Sequence, residues 1–254
     1  MMGTGELHRV FSGDPSVAAA WVEAAAATGI AEAQVRLGRM LLEGEGVAKD
    51  PHGAFACFFC AAQTGDADAQ NMLGRCYENG WGTPVDFIGA SACYRRAAHA
   101  GLAWAQYNLG HMLLDGIGVT RDREAAFIWY RRAADQGHAR AMNLVARCHE
   151  EGWGVHRAPL TARDWYRKSA EGGYFRGAYN YASILAGDGR VEDAAVWFER
   201  ALVTAPPPTH GNILRILARQ ENPQLRAIAE REYGDRGADP TSGNAAISSA
   251  QRST

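Results

Sequence analysis

Five glycines, Gly29, Gly65, Gly101, Gly137 and Gly173, lie 36 residues apart without a slip. The aspartates Asp14, Asp50, Asp86 and Asp122 keep the same step. So do Gly44, Gly80, Gly116 and Gly152, and with them Gly46, Gly82, Gly118 and Gly154. A fixed period of this length means one supersecondary unit copied along the chain. Each copy is too small to bury its apolar face alone and stacks on its neighbours. The core is then a seam along the stack, which overrides any count of domains based on the length of 254 residues.

The second copy, residues 50–85, shows what one unit is. Asp50 followed by Pro51 reads as an N-cap with proline at the first helical position, where its missing N–H costs nothing. Asp14-Pro15 repeats the device. Ala54, Phe58, Ala61 and Ala62 form an apolar face at i, i+4, i+7 and i+8, echoed by Ala90, Tyr94, Ala97 and Ala98 and by Ala126, Tyr130, Ala133 and Ala134. This first helix is predicted to end at Gly65 in a left-handed cap. A second helix follows with Ala69, Leu73, Gly74 and Tyr77 inward, and Gly74 is expected to let two helix backbones approach closely. Gly80-Trp81-Gly82 then turns the chain into the next aspartate. Each unit is an antiparallel helical hairpin, and no stretch alternates as a strand would.

The expected organisation is an N-terminal extension (1–13), a solenoid (14–205), two capping helices (206–234) and a disordered tail (235–254). Within the solenoid the copies fall near 14–49, 50–85, 86–121, 122–157 and 158–188, with a partial copy at 189–205. The fifth is degenerate, because Ala158 stands where the other copies have aspartate. The tail lacks an apolar period and is rich in Gly, Ser, Ala and Thr.

Composition narrows the function classes. Apolar residues make up 47% and charged residues 21%, ordinary for a folded chain, and the net charge of −2 creates no global attraction to nucleic acid or anionic membranes. No apolar run approaches the roughly 18 residues of a membrane helix. Residues 14–29 are apolar but sit in register with 50–65, so they read as a retained repeat and the chain as cytoplasmic. Five cysteines without a spacing framework argue against a disulfide scaffold. Cys76 and Cys148 share a slot with Met40 and Met112, as a small buried apolar position would allow.

The template Ala-x-x-x-aromatic-x-x-Ala-Ala-x-x-Gly, then Ala-Gln-x-x-Leu-Gly-x-x-Tyr-x-x-Gly-x-Gly-Val, resembles the Sel-one-like repeat family, which is related to tetratricopeptide repeats. Ala97-Ala98-x-x-Gly101, Ala105-Gln106-x-x-Leu109-Gly110 and Gly116-x-Gly118-Val119 carry the match in the third copy. The resemblance implies an all-α, right-handed solenoid of five to six hairpins and usually an adaptor role. Some secreted members are similar but link the two helices of each repeat by a cysteine pair. Here those places hold Ala62 with Gln70 and Ala98 with Gln106, so that subgroup's disulfides and activities are not carried over.

By analogy with tetratricopeptide repeats, the helix bearing the Leu-Gly pair lines the concave face, with positions 68, 71, 75 and 78 outward. Down the stack, position 71 reads Val35, Asn71, Tyr107, Asn143 and Tyr179, and position 75 reads Arg39, Arg75, His111, Arg147 and Ser183. Asparagine amides can pair with an extended peptide backbone, arginine can fork onto carboxylates, and Tyr107, Tyr179 and Trp104 offer rigid contact area. The expected partner-binding residues are therefore Arg39, Asn71, Arg75, Trp104, Tyr107, His111, Asn143, Arg147 and Tyr179. The expected partner is another protein or peptide with an acidic segment, with neither nucleic acid nor membrane as target and with weak self-association through the first hairpin as a further option.

Other motifs point elsewhere only weakly. Arg95-Arg96, Arg131-Arg132 and Arg167-Lys168 read as a solubilising surface, since Glu199-Arg200 breaks the run. Trp81 and Trp153, between turn glycines, read as structural. His149-Glu150 lacks the second histidine of a zinc protease helix, Trp153 standing there. The Gly-x-Gly turns join helix to helix and do not form phosphate loops. Cys57-x-x-Cys60, with Cys93 one repeat later, lacks a fourth ligand, so these cysteines read as small core residues, with no metal or cofactor. The sequence thus predicts a non-catalytic scaffold that takes a polypeptide segment. A hydrolase or metal-dependent enzyme on the same scaffold, or a self-associating structural protein, is the alternative.

Overall fold

The computed structural model describes Gly13 and residues 15–236. Among these residues every regular element is a helix. Five hairpins are formed by α1 (Pro15–Ala27) with α2 (Ala31–Glu43), α3 (Pro51–Ala62) with α4 (Ala67–Asn79), α5 (Phe87–His99) with α6 (Ala103–Asp115), α7 (Arg123–Asp135) with α8 (Ala139–Glu151), and α9 (Pro159–Glu171) with α10 (Phe175–Gly187). They are followed by α11 (Val191–Thr204), α12 (Pro207–Ala218) and α13 (Pro223–Arg236). This is the all-α repeat architecture that the 36-residue period demands. The last helix runs two residues into the segment expected to be a disordered tail; the rest of that segment, and residues 1–12 of the N-terminal extension, lie outside the described residues. None of the described helices is long and apolar enough to cross a membrane.

The helices group into two compact units. Unit one holds the residues up to Ala141 together with Glu151–Arg157; unit two holds Met142–Glu150 and the chain from Ala158 on. In unit one the seam is built as the period predicts. Phe58, Tyr94 and Tyr130 are fully buried, as are Ala54, Ala61, Ala90, Ala97, Ala126 and Ala133 around them. Unit two repeats the arrangement with Tyr166, Ala162, Ala170, Phe198 and Ala201.

The caps depart from expectation in detail. Asp86 and Asp122 accept from the backbone N–H of Gly89 and Ala125, each at 2.9 Å, but Asp50 sits in the cap position without a side-chain hydrogen bond. Asp66, which the repeat pattern did not flag, caps α4 by accepting from Ala69 at 2.7 Å. The first helix of the hairpin stops at Ala62, not at Gly65, because Gln63 and Thr64 close the last turn onto Cys60 and Ala61. Gly65, at φ 86°, makes the reversal.

Two glycine positions explain why the period cannot drift. A Cβ on Gly74 would lie 2.8 Å from the Tyr94 ring. The notch therefore holds the aromatic ring of the next hairpin more than it lets backbones touch, and Gly38 and Gly110 receive Phe58 and Tyr130 in the same way. Gly82, at φ 69°, passes the first turn of α3 so closely that a Cβ would meet the Pro51 carbonyl oxygen at 2.0 Å. The turn leaving each of the first four hairpins is thus seated against the helix that began it.

Candidate functional site

Polar bonds inside the stack decide which side chains remain available. Where the disulfide-linked subgroup has cysteines, Gln70 Nε2 donates to the Ala62 carbonyl at 2.8 Å and Gln106 to Ala98 at 3.2 Å, so a hydrogen bond ties the two helices of a hairpin. Gln34 does the same to Ala26 at 3.3 Å. Tyr94 donates its hydroxyl to Glu78 at 2.5 Å, and burial followed by this carboxylate pushes its pKa far up. Glu78 is therefore bound to the core.

The asparagines at position 71 are a correction. Asn71 and Asn143 are buried, 7% and 4% exposed, rather than presented as free amides. Each Oδ1 accepts from an asparagine one repeat and one residue later: Asn108 Nδ2 to Asn71 at 3.0 Å in unit one, and Asn180 Nδ2 to Asn143 at 2.9 Å in unit two. A buried amide needs its partners inside the fold, so these residues brace consecutive second helices. His111 is displaced too. Its ring stacks edge-on between Tyr107 (4.7 Å) and Tyr130 (5.5 Å) and is part of an aromatic cluster, not of the groove lining.

What remains in unit one is a groove of about 800 Å³ across the second helices. Arg39 from α2, Arg75 from α4, Trp104, Tyr107 and Asn108 from α6 and Arg140 from α8 line it, with Lys49 and Trp81 from the turns. The Arg75 guanidinium lies 5.0 Å over the Trp81 ring and that of Arg140 5.2 Å over Trp104. Trp104 also meets the His138 ring edge-on at 4.4 Å. Four cations face two carboxylates here, Glu43 and Asp68, in a chain whose net charge is negative. The Arg39–Asp68 pair is 3.5 Å long and half exposed, so it adds little stability.

The analogy thus brings Arg39, Asn71, Arg75, Trp104 and Tyr107 together, Asn71 lining the groove with its amide oxygen already bonded to Asn108. It overlooks Asn108, because the lining stripe takes in position 72 beside 71 and 75, and Trp81, which faces the groove while packing on its own hairpin's core; Arg140 stands at position 68, which the analogy set outward without singling this residue out. Arg147 and Tyr179 belong to unit two. Arg147 is exposed, and Tyr179 stands edge-on to Phe198 at 5.7 Å, beside a hollow of about 610 Å³ with Val191, Ile216 and Leu225.

A second hollow of unit one, about 1030 Å³, is lined by Ile88, Arg95, Leu113 and Arg123. Three of its polar groups are occupied by the fold: Ser91 Oγ donates to the Ile88 carbonyl, Arg121 Nε donates to the Leu114 carbonyl, and Asp122 caps its helix. The cysteines offer little. All five are free; Cys76, Cys93 and Cys148 are buried, and burial pushes the first two thiols up to about 11 and the third up to about 12. Cys60 is exposed and Cys57 half-buried, which corrects their reading as core residues. Among the described residues no group of His, Cys, Asp or Glu has metal-binding geometry.

Comparison with known proteins agrees with the repeat fold. The pattern described as Sel1 repeat matches residues 31–66, 67–102, 105–138 and 139–174. Comparison with curated proteins gives no match. Among solved structures, a Sel1 repeat protein from Oxalobacter formigenes is similar with a TM-score of 0.78 and 24% identity, over 92% of this chain and 100% of that one. A protective antigen of uropathogenic Escherichia coli strains, described as displaying an SLR fold, has a TM-score of 0.70 and 26% identity over 88% of this chain. The match spans 50% of the antigen's chain, so it covers about half its length. An immunity protein from Pseudomonas aeruginosa is similar in fold, with a TM-score of 0.53 and 16% identity over 83% of each chain.

Proposed function

The chain belongs to the Sel1 repeat family, whose members are generally protein-interaction scaffolds, and on that premise we propose that it is a non-catalytic adaptor whose unit-one groove takes an acidic polypeptide segment. The observation that carries this reading is the pair of arginine–tryptophan stacks at the groove, Arg75 on Trp81 and Arg140 on Trp104. A guanidinium held over an indole loses less freedom when it forks onto a carboxylate, and the ring beside it offers rigid apolar area to the neighbouring residue of the segment. Arg39 and Lys49 extend the cationic lining. A cytoplasmic location is part of the same proposal.

The test is fluorescence anisotropy with three labelled peptides of one length, alternating phenylalanine with glutamate, glutamine or lysine. The glutamate peptide is expected to bind best, and Arg39→Glu/Arg75→Glu to weaken it about tenfold or more, which corresponds to about 1.4 kcal/mol, with the melting temperature unchanged. Equal binding of all three peptides, or an unaffected variant, would sink the acidic-segment reading.

A further inference from the structure

Consecutive copies differ at a set of positions, and the differences return every second copy. Met40-Leu41-Leu42 recurs as Met112-Leu113-Leu114, while Cys76 and Glu78 recur as Cys148 and Glu150. Asn71, Arg75, Trp81, Tyr107 and Asn108 recur as Asn143, Arg147, Trp153, Tyr179 and Asn180, in every case 72 residues on. The structure turns this pattern into two like constructions. In unit one the Asn108–Asn71 bond ties α4 to α6, with Tyr94 donating to Glu78 below it. In unit two the Asn180–Asn143 bond ties α8 to α10, with Tyr166 donating to Glu150 at 2.5 Å.

Part of the alternation serves the core, since Cys76 and Cys148 are buried and the glutamates accept from buried tyrosines. That account does not extend to Arg147, which is exposed, nor to the half-buried Tyr179. Helix spacing sets Arg147 one turn beyond Asn143, as Arg75 stands one turn beyond Asn71. On α10, Arg176 lies one turn before Asn180, where unit one has Trp104 before Asn108. Arg176 is exposed and its guanidinium lies 5.7 Å over the Phe175 ring.

We propose that unit two carries a second binding station for the same class of ligand, an acidic polypeptide segment, held by Arg147, Arg176 and Tyr179 around the Asn143–Asn180 brace. This rests on the acidic-segment reading of unit one. The occupant follows from charge: two arginines border the brace, the carboxylate nearest to it in the helical register, Glu150, accepts from the Tyr166 hydroxyl, and the other carboxylate of α8 is the exposed Glu151, one turn beyond Arg147. With arginine replacing tryptophan, the second station relies more on charge and less on apolar contact. One chain then engages two copies of a short acidic segment, or one partner carrying two such segments in tandem. A tandem partner gains avidity if its linker spans both sites.

Isothermal titration of the full chain with the blocked glutamate–phenylalanine peptide tests this through stoichiometry. Wild type is expected to bind two peptides per chain. Arg39→Glu/Arg75→Glu and Arg147→Glu/Arg176→Glu are each expected to bind one, and the combined variant none. Arg147→Gln/Arg176→Gln, which introduces no new charge, should also bind one. A single site in wild type, lost with the unit-one variant and indifferent to the unit-two variants, overturns the second station and leaves the groove reading standing. No binding by wild type overturns both.

Discussion

At the scale of single residues, the repeat is held by the absence of side-chain atoms as much as by their presence. Gly65 and Gly82 both have positive φ, but space separates them: nothing lies within 4 Å of a Cβ on Gly65, whereas one on Gly82 would meet the Pro51 carbonyl at 2.0 Å. Gly65→Ala is expected to cost about 1 kcal/mol, the left-handed conformation alone. Gly82→Ala adds a clash with backbone that cannot rotate away, and a further 1–3 kcal/mol or so is expected. Urea denaturation of the two variants checks the order; equal costs would mean the turn is not seated on the helix. Gln70, Gln106 and Tyr94 show the complementary case. Their types are plain in the sequence, but that they bond Ala62, Ala98 and Glu78 depends on helix phase and distance.

At the scale of elements, capping separates what the pattern signals from what it hides. The aspartate period correctly marks where α3, α5 and α7 begin, yet only Asp86 and Asp122 of these use their carboxylates. The start of α8 is capped by a residue outside any motif: His138 Nδ1 accepts from the Ala141 N–H at 3.1 Å. Burial first, then the nearby Arg140 charge, lowers the His138 pKa from 6.5 to about 4. The unfolded chain therefore takes up this proton near pH 6.5, while the folded one resists until about 4. Stability should rise with pH across that window, because the unfolded state binds more protons there. The His138→Asn variant keeps an acceptor at the cap and lacks the titration. Denaturation midpoints measured from pH 4 to 7 should converge for the two proteins at the upper end and diverge at the lower, wild type being the more pH-dependent. Parallel profiles would contradict the buried neutral ring.

At the scale of the whole molecule, binding through exposed arginines predicts a salt dependence. Raising the ionic strength from about 0.05 M to about 0.5 M shortens the screening length from about 14 Å to about 4 Å. The glutamate–phenylalanine peptide should then bind several-fold more weakly, and unit one, with four cations against two, should lose at least as much as unit two. Titrations at the two salt concentrations check this, and an unchanged affinity would assign the binding to apolar contact. The all-α hairpin array and its core ladders were determined by the sequence alone, because a 36-residue period with apolar faces at helical spacing allows no other way to bury Ala54, Phe58 and their copies. Which polar residues face outward was decided only in the tertiary structure. Asn71 and Tyr107 share a position in the period and both line the groove, but the Asn71 amide oxygen is taken by Asn108 while the Tyr107 ring packs against His111 and His138. That choice depends on the packing of neighbouring second helices, over distances of an ångström or two that a one-dimensional pattern does not contain.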